Sequence, residues 1–197
     1  MCQRAYFPRS VIALVVVTAG LLAWPRAGAA QTVTGNANAA RVTTFGLSGS
    51  TTVLADTGTL GGTNDALDAS QVTASVPSVL SGEVLSATTI GWPDQVVSEA
   101  SLASLSLTVG GTGISADFVM ATATAVLGAA GSGTSLIDNL SIGGVPIVVT
   151  GEVNQTVAIP GGQVVINEQT GGTVNALHAT VAGVADVVIA SATSGIQ

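Results

Sequence analysis

The apolar positions of this chain recur in short runs broken by glycine, without the three-to-four spacing of a long amphipathic helix. The clearest stretch is 151–193. There, β-branched segments at 155–159, 163–168, 173–182 and 186–193 are divided by Pro-Gly-Gly, Thr-Gly-Gly and Ala-Gly-Val-Ala-Asp breaks. Val and Ile suit a pleated surface, and paired glycines supply the positive φ that tight hairpins need. In 173–182 a strict two-residue period puts Val174, Ala176, His178 and Thr180 on one face. Asn175, Leu177, Ala179 and Val181 then take the other. Val187, Val188 and Ile189 in succession predict burial on both faces, and so an inner strand at 186–193.

The rest of the chain follows the same rhythm. A strand is expected at 41–47, with 51–55 as its partner across Ser48-Gly49-Ser50. Before it, 31–40 is polar and small and reads as a loose arm; 56–69, rich in Gly, Asp and Thr, reads as a loop. Pro77 stops a strand at 71–76, and Gly91-Trp92-Pro93-Asp94 turns the chain after another at 84–90. The stretch 95–105 is open to two readings. Val96, Val97, Ala100 and Ala103 could form a helical stripe, but Leu105, Leu107 and Val109 alternate, so a strand is expected from Ala100 onward. Gly110-Gly111-Thr112-Gly113 leads into a strand at 114–127, with Asp117, Val119, Ala121 and Ala123 on one face and Phe118, Met120, Thr122 and Thr124 on the other. Strands at 136–142 and 145–150 complete the set. The pattern predicts an all-β protein, an antiparallel two-sheet β-sandwich of about ten strands over 41–197.

The first thirty residues are of another kind. Arg4 and Arg9 precede a short apolar run from Val11 to Ala23, Pro25 breaks it, and Ala27-Gly28-Ala29-Ala30 offers small residues for cleavage. That is the pattern of a secretory signal peptide over 1–30, too short for a spanning helix. Its removal changes the charge. Residues 31–197 keep Arg41 alone against eleven carboxylates, a net charge of −10, and no cysteine. Such a surface has no basic patch for nucleic acid or for anionic lipid, so neither is an expected partner once the signal is cleaved. Without cysteine there is no disulfide, and the core alone must hold the domain.

Several pieces of the C-terminal stretch belong together: Asn154-Gln155-Thr156-Val157, Ile159-Pro160-Gly161, Val164-Val165-Ile166-Asn167-Glu168-Gln169, Val174-Asn175-Ala176-Leu177-His178 and Asp186-Val187-Val188-Ile189-Ala190. This run resembles the C-terminal half of the choice-of-anchor P family of bacterial secreted or surface proteins. Phe45-Gly46-Leu47 fits that family's N-terminal strand, so the resemblance covers most of 31–197. It implies a secreted or surface location and no reaction. One departure is expected: no anchoring signal after Gly195-Ile196-Gln197.

No catalytic, cofactor or metal site is expected, and no cofactor. The residues nearest to one are few. His178 is the single histidine, so any Ser-His-Asp arrangement would need it, and no Gly-x-Ser-x-Gly elbow accompanies it. A structural histidine bonded to Glu168 or a backbone carbonyl fits better. Asp56, Asp65 and Asp68 come nearest to a calcium set, but their spacing fits no EF-hand loop, and such residues are common in turns for conformational reasons. Glu168 stands in Asn167-Glu168-Gln169, which reads as an Asx-type turn ending a strand. Trp92 is the one aromatic platform a sugar could use. The expected role is therefore a secreted or cell-surface, non-enzymatic structural or interaction protein, adhesin- or matrix-like, with a protein or glycan partner or self-assembly. An extracellular module binding a sugar or calcium through Asp56, Asp65, Asp68 and Trp92 is the alternative. An exported hydrolase using Glu168 or His178 is the third.

Overall fold

The computed structural model describes residues 31–46 and 49–197; the expected signal peptide and Leu47 fall outside them. The described residues form thirteen strands: β1 (Val33–Thr44), β2 (Ser50–Asp56), β3 (Ala66–Val76), β4 (Leu80–Gly91), β5 (Gln95–Val109), β6 (Thr112–Val126), β7 (Ser132–Asp138), β8 (Ser141–Ile142), β9 (Val145–Pro146), β10 (Gln155–Ile159), β11 (Gly162–Thr170), β12 (Thr173–Val181) and β13 (Ala185–Ile196). Every pairing is antiparallel. The first sheet runs β10-β11-β12-β13-β1-β2. The second runs β3-β4-β5-β6-β8-β9, with β7 along the other half of β6. The protein is an all-β, two-sheet sandwich. Leu85, Leu102, Leu107, Ile114, Ile166, Leu177 and Ile189 are the bulk of its shared core.

The chain builds the second sheet as one continuous meander, 66–146, and returns to close the first. β1 and β13 pair along almost their whole length, and Thr32 and Gln197 exchange both backbone hydrogen bonds at 3.0 Å. This corrects the expected loose arm at 31–40. Residues 33–40 are the first part of β1, an inner strand, with Ala37, Ala39 and Ala40 fully buried. Small residues are required there because the sheets approach closely. A Cβ on Gly35 would collide with Leu60 and Thr89. Beside this contact, buried hydroxyls join the sheets: Ser98 donates to the Thr193 carbonyl (2.6 Å), Thr89 lies 2.7 Å from Ser98, and Ser194 donates to the Ala123 carbonyl (2.9 Å).

Three other expectations change. The stretch from Gln95 is strand throughout, the loop after β2 ends before Ala66, and the two-residue alternation does not hold along whole strands. In the first sheet two successive residues point inward on each of five strands: Leu54-Ala55, Ala39-Ala40, Ile189-Ala190, Ala176-Leu177 and Ile166-Asn167. The register sets these doublets side by side across the sheet. In the second sheet the doublets point outward: Val72-Thr73, Glu83-Val84, Ala103-Ser104, Asp117-Phe118 and Asp138-Asn139. They too lie side by side, with a local register irregularity between β4 and β5. A crease therefore crosses each sheet, and the face of every side chain inverts on passing it. Its backbone signature is a left-handed residue inside otherwise extended strands, at Ala55, Val84, Ser104, Asn167 and Ala190, and at Asn139 between β7 and β8.

The crease explains two wrong faces. Val174 and Ala176 share the inward face with Leu177, Ala179 and Val181, so His178 faces out. On β6, Asp117 lies outward with Phe118, on the opposite face to Val119. The expected inner strand at 186–193 is observed: β13 lies between β12 and β1, with Val187, Val188, Ile189 and Ala190 all buried.

Candidate functional site

The ionisable side chains that come together do so on the outer face of the first sheet, on β11, β12 and β13. His178 sits in the middle. Its Nδ1 lies 2.9 Å from Glu168 Oε2, and its Nε2 lies 3.0 Å from Asp186 Oδ2. Asn175 donates to the same Glu168 oxygen at 2.6 Å, and the Thr180 hydroxyl lies 3.3 Å from Nε2. The register pairs Glu168 with Asn175, His178 with Val165 and Val188, and Thr180 with Asp186.

This constellation depends on the crease. Counted by strict alternation, Glu168 and Val165 would lie on opposite faces of β11, and Asn175 and His178 on opposite faces of β12. The inward doublets Ile166-Asn167 and Ala176-Leu177 absorb one residue each and bring Glu168, Asn175 and His178 to one side. Of the partners expected for His178, Glu168 or a backbone carbonyl, Glu168 is the one observed, on the face opposite to the one expected. Glu168 lies within β11, so the Asx-turn expectation for it is corrected: Asn167, not Glu168, has the left-handed backbone.

Burial, the largest influence, disfavours a charged imidazole. The hydrogen bonds to Asp186 and Glu168, and the attraction of those two carboxylates, together outweigh it and raise the His178 pKa above its usual 6.5. The geometry shows why. An imidazolium has two N–H donors, one for each carboxylate. A neutral ring has one, which leaves a carboxylate against a lone pair about 3 Å away.

The chemistry this arrangement can do is narrow. Thr180, His178 and Glu168 fall in the order of a hydroxyl–imidazole–carboxylate chain, but Asp186 occupies the same Nε2 that would take the hydroxyl proton. In its charged form, which both carboxylates favour, the ring has no lone pair to accept with. Both ring nitrogens are also committed, which removes the lone pair a metal needs. Among the described residues no group of three or more His, Cys, Asp and Glu side chains is set to hold an ion.

The calcium candidates take separate places. Asp56 Oδ1 accepts from Asn36 Nδ2 and the Gly58 amide, both at 3.1 Å, and Asp65 Oδ2 accepts from the Gly61 amide at 2.7 Å. Each carboxylate holds its own turn, while Asp68 stands exposed on β3 opposite Thr88. The loop does lean on the turn that carries Trp92: the Asn64 amide donates to the Gly91 carbonyl and the Gly91 amide donates to the Asp65 carbonyl, both at 2.8 Å. Trp92 is 41% exposed at that turn, and the neighbouring Pro93 carbonyl accepts from Gln31 at 2.6 Å.

Sequence reasoning missed the work of Asn154, Asn167 and Gln169. The Asn167 side-chain amide donates to the Gly151 and Glu152 carbonyls, the Gln169 side-chain amide donates to Asn167 Oδ1 and to the Gly133 carbonyl, and Asn154 Oδ1 accepts from the Gln169 backbone amide. These bonds latch the 147–154 connection to β11 and tie β11 to β7 in the other sheet. The available signal was two asparagines, at 154 and 167, in a residue type that tolerates the left-handed backbone both adopt. A cleft of about 350 Å³ opens at the same end of the sandwich, beside Gly133, Gln169, Gly172 and Ser194, and its lining holds no titratable side chain.

Compared with known proteins, the chain matches no family model, no curated protein and no solved structure.

Proposed function

We propose that this chain is an exported, non-enzymatic structural or interaction module. The observation that carries the reading is the double engagement of His178. The one imidazole of the chain, the side chain most often used in acid–base catalysis, is held by Glu168 on one nitrogen and Asp186 on the other. It lies on the open face of a sheet, away from the cleft, and joins three neighbouring strands. Export is supported by the pattern of 1–30 and by the resemblance of 151–193 to choice-of-anchor P proteins.

Two measurements test the two parts. Expressed from the full chain in a bacterial host, the protein is expected outside the cytoplasm with an intact mass lacking residues up to Ala29 or Ala30. Recovery with Met1 to Ala30 still attached would overturn export. Against ester and glycoside reporter substrates no turnover is expected. Turnover abolished in Glu168→Gln and His178→Gln proteins that remain folded would overturn the non-enzymatic reading.

A further inference from the structure

The outer edge of the second sheet is β3, and among the described residues no strand pairs with its outer side. β3 spans Ala66–Val76 and pairs on one side only, with β4. Asp68 and Pro77 bound the edge, and between them 69–76 contains no charged residue and no proline. Two valines stand out of the surface at its centre. Val72 is 82% exposed and Val84, directly opposite it on β4, is 64% exposed. On the inner side, Leu67, Ala69, Ala74 and Val76 are only half-buried.

The crease decides what this edge can accept. Along β3 the odd residues Leu67 and Ala69 face in before the Val72-Thr73 doublet, and the even residues Ala74 and Val76 face in after it. Gln71, opposite the buried Leu85, takes the inward side of the pleat. A regular strand laid along β3 matches these faces on one side of the crease. On the other side every side chain is turned the wrong way, because a one-residue slip exchanges the faces. The proper partner needs an outward doublet of its own. Within each sheet of this molecule, doublets meet doublets across the strands. The first sheet's edge strand β2 has an inward doublet, Leu54-Ala55, which is the wrong sense.

We infer that β3 pairs antiparallel with β3 of a second copy of this chain, crease to crease. That condition leaves one register. Val72 lies opposite Thr73 of the second copy, Gln71 opposite Ala74, Ser70 opposite Ser75 and Ala69 opposite Val76, each relation repeated by two-fold symmetry. The faces agree throughout: Val72, Thr73, Ser70 and Ser75 lie outside, and Ala69, Gln71, Ala74 and Val76 lie inside. Charge fits as well. Two chains of net charge −10 over 31–197 meet along their uncharged segments, and Asp68 of one copy falls beyond the paired residues, level with Pro77 of the other. The valines Val84 and Val72 of both copies become one continuous apolar strip on the outer face of a joined sheet. Backbone hydrogen bonds along the edge supply affinity, and the crease supplies selectivity.

This pairing deepens the interaction-module reading and rests on it; a monomer would overturn the pairing while export and lack of turnover keep their own tests. The experiment uses protein purified from expression of the full chain, with Cys2→Ser in every variant so that no native thiol interferes. Sedimentation equilibrium is expected to show a reversible dimer. Ser70→Asp with Ser75→Asp, both exposed, sets carboxylates opposite one another twice and is expected to give a monomer with an unchanged circular dichroism spectrum. Ser70→Cys mixed with Ser75→Cys is expected to form disulfide-linked heterodimers on mild oxidation, because directly opposite Cβ atoms lie about 5 Å apart. Ser70→Cys mixed with Thr73→Cys, two residues out of register, is not. A monomer at every concentration overturns the pairing, as does a dimer indifferent to the two aspartates. Preferential Ser70–Thr73 linkage overturns the register.

Discussion

The two sheets solve one geometric problem in opposite senses. Each is crossed by a crease at which the side-chain alternation inverts. In the first sheet the extra residue goes inward on the five creased strands, and it is small or amide-bearing: Ala39, Ala55, Ala176, Ala190 and Asn167, all buried. In the second sheet it goes outward, and size is no constraint: Val72, Val84, Ser104, Asp117 and Asn139 lie on the surface. Asn139 donates to Asp117 across that surface at 2.6 Å. An inward doublet must share close-packed space with the opposite sheet, where even one added methylene is felt. An outward doublet meets water. The first sheet therefore gains a tightly filled interior and, on its other side, the contact between Glu168 and His178. The second sheet gains exposed valines and an open edge.

The largest effect should come from removing the strand that closes the first sheet beside its crease. Deleting 31–38 takes away the first half of β1 and leaves 191–196 of β13 without its partner on that side. The expected outcome is a protein that does not fold, visible as loss of a cooperative melting transition. Survival of a normal transition would mean that the inner position of β1 is not needed. Leu177→Asp, a charge placed in a fully buried doublet, is expected to do the same.

A milder pair of substitutions compares the doublets directly. Leu177→Ala should cost about 2–5 kcal/mol, the usual range for a buried leucine, out of a net stability of roughly 5–15 kcal/mol. Val72→Ala, at an exposed position of the outward doublet, should change the monomer by no more than about 0.5 kcal/mol. Denaturant titrations under conditions where the protein is monomeric provide the comparison. Equal costs at the two positions would erase the distinction between the sheets.

The smallest expected effect is on pH dependence, and it belongs to the first sheet alone. The His178 pKa is raised in the folded protein above 6.5, the ordinary value. The folded state thus binds the proton more tightly than the unfolded chain does. Its contribution to stability is complete below about 6.5 and fades as pH rises through the raised pKa. Melting temperatures measured across that window should fall for the wild-type protein and fall less for His178→Gln. Identical slopes would show that the imidazole is not bound more favourably in its charged form.

Much of the architecture could be read from local signals. β10 has the expected bounds, and β11, β12 and β13 lie within three residues of theirs, because β-branched runs between glycine turns have few other ways to satisfy their backbone. β1 was harder to see. Thr34-Gly35-Asn36-Ala37-Asn38-Ala39 does alternate, but its inward residues are so small that their burial is worth little by itself, and the polar partners suggest a loop. The hydroxyls that join the sheets, Ser98 and Ser194, were invisible for a related reason: serine on a strand becomes a fastening only when another sheet lies against it.

The amino-acid sequence by itself determined the class of structure, the places where the chain turns, the inner position of β13, and the charge that 31–197 presents. Each follows from residue type within a few positions of itself. Only the tertiary structure decided the creases, and with them which face His178 takes and which edge stays open. A crease costs each strand one step of alternation, and that cost is tolerable only when the neighbouring strand takes the same step at the same level. The information lies between strands as distant along the chain as Ala39 and Ala190, where no local period can carry it.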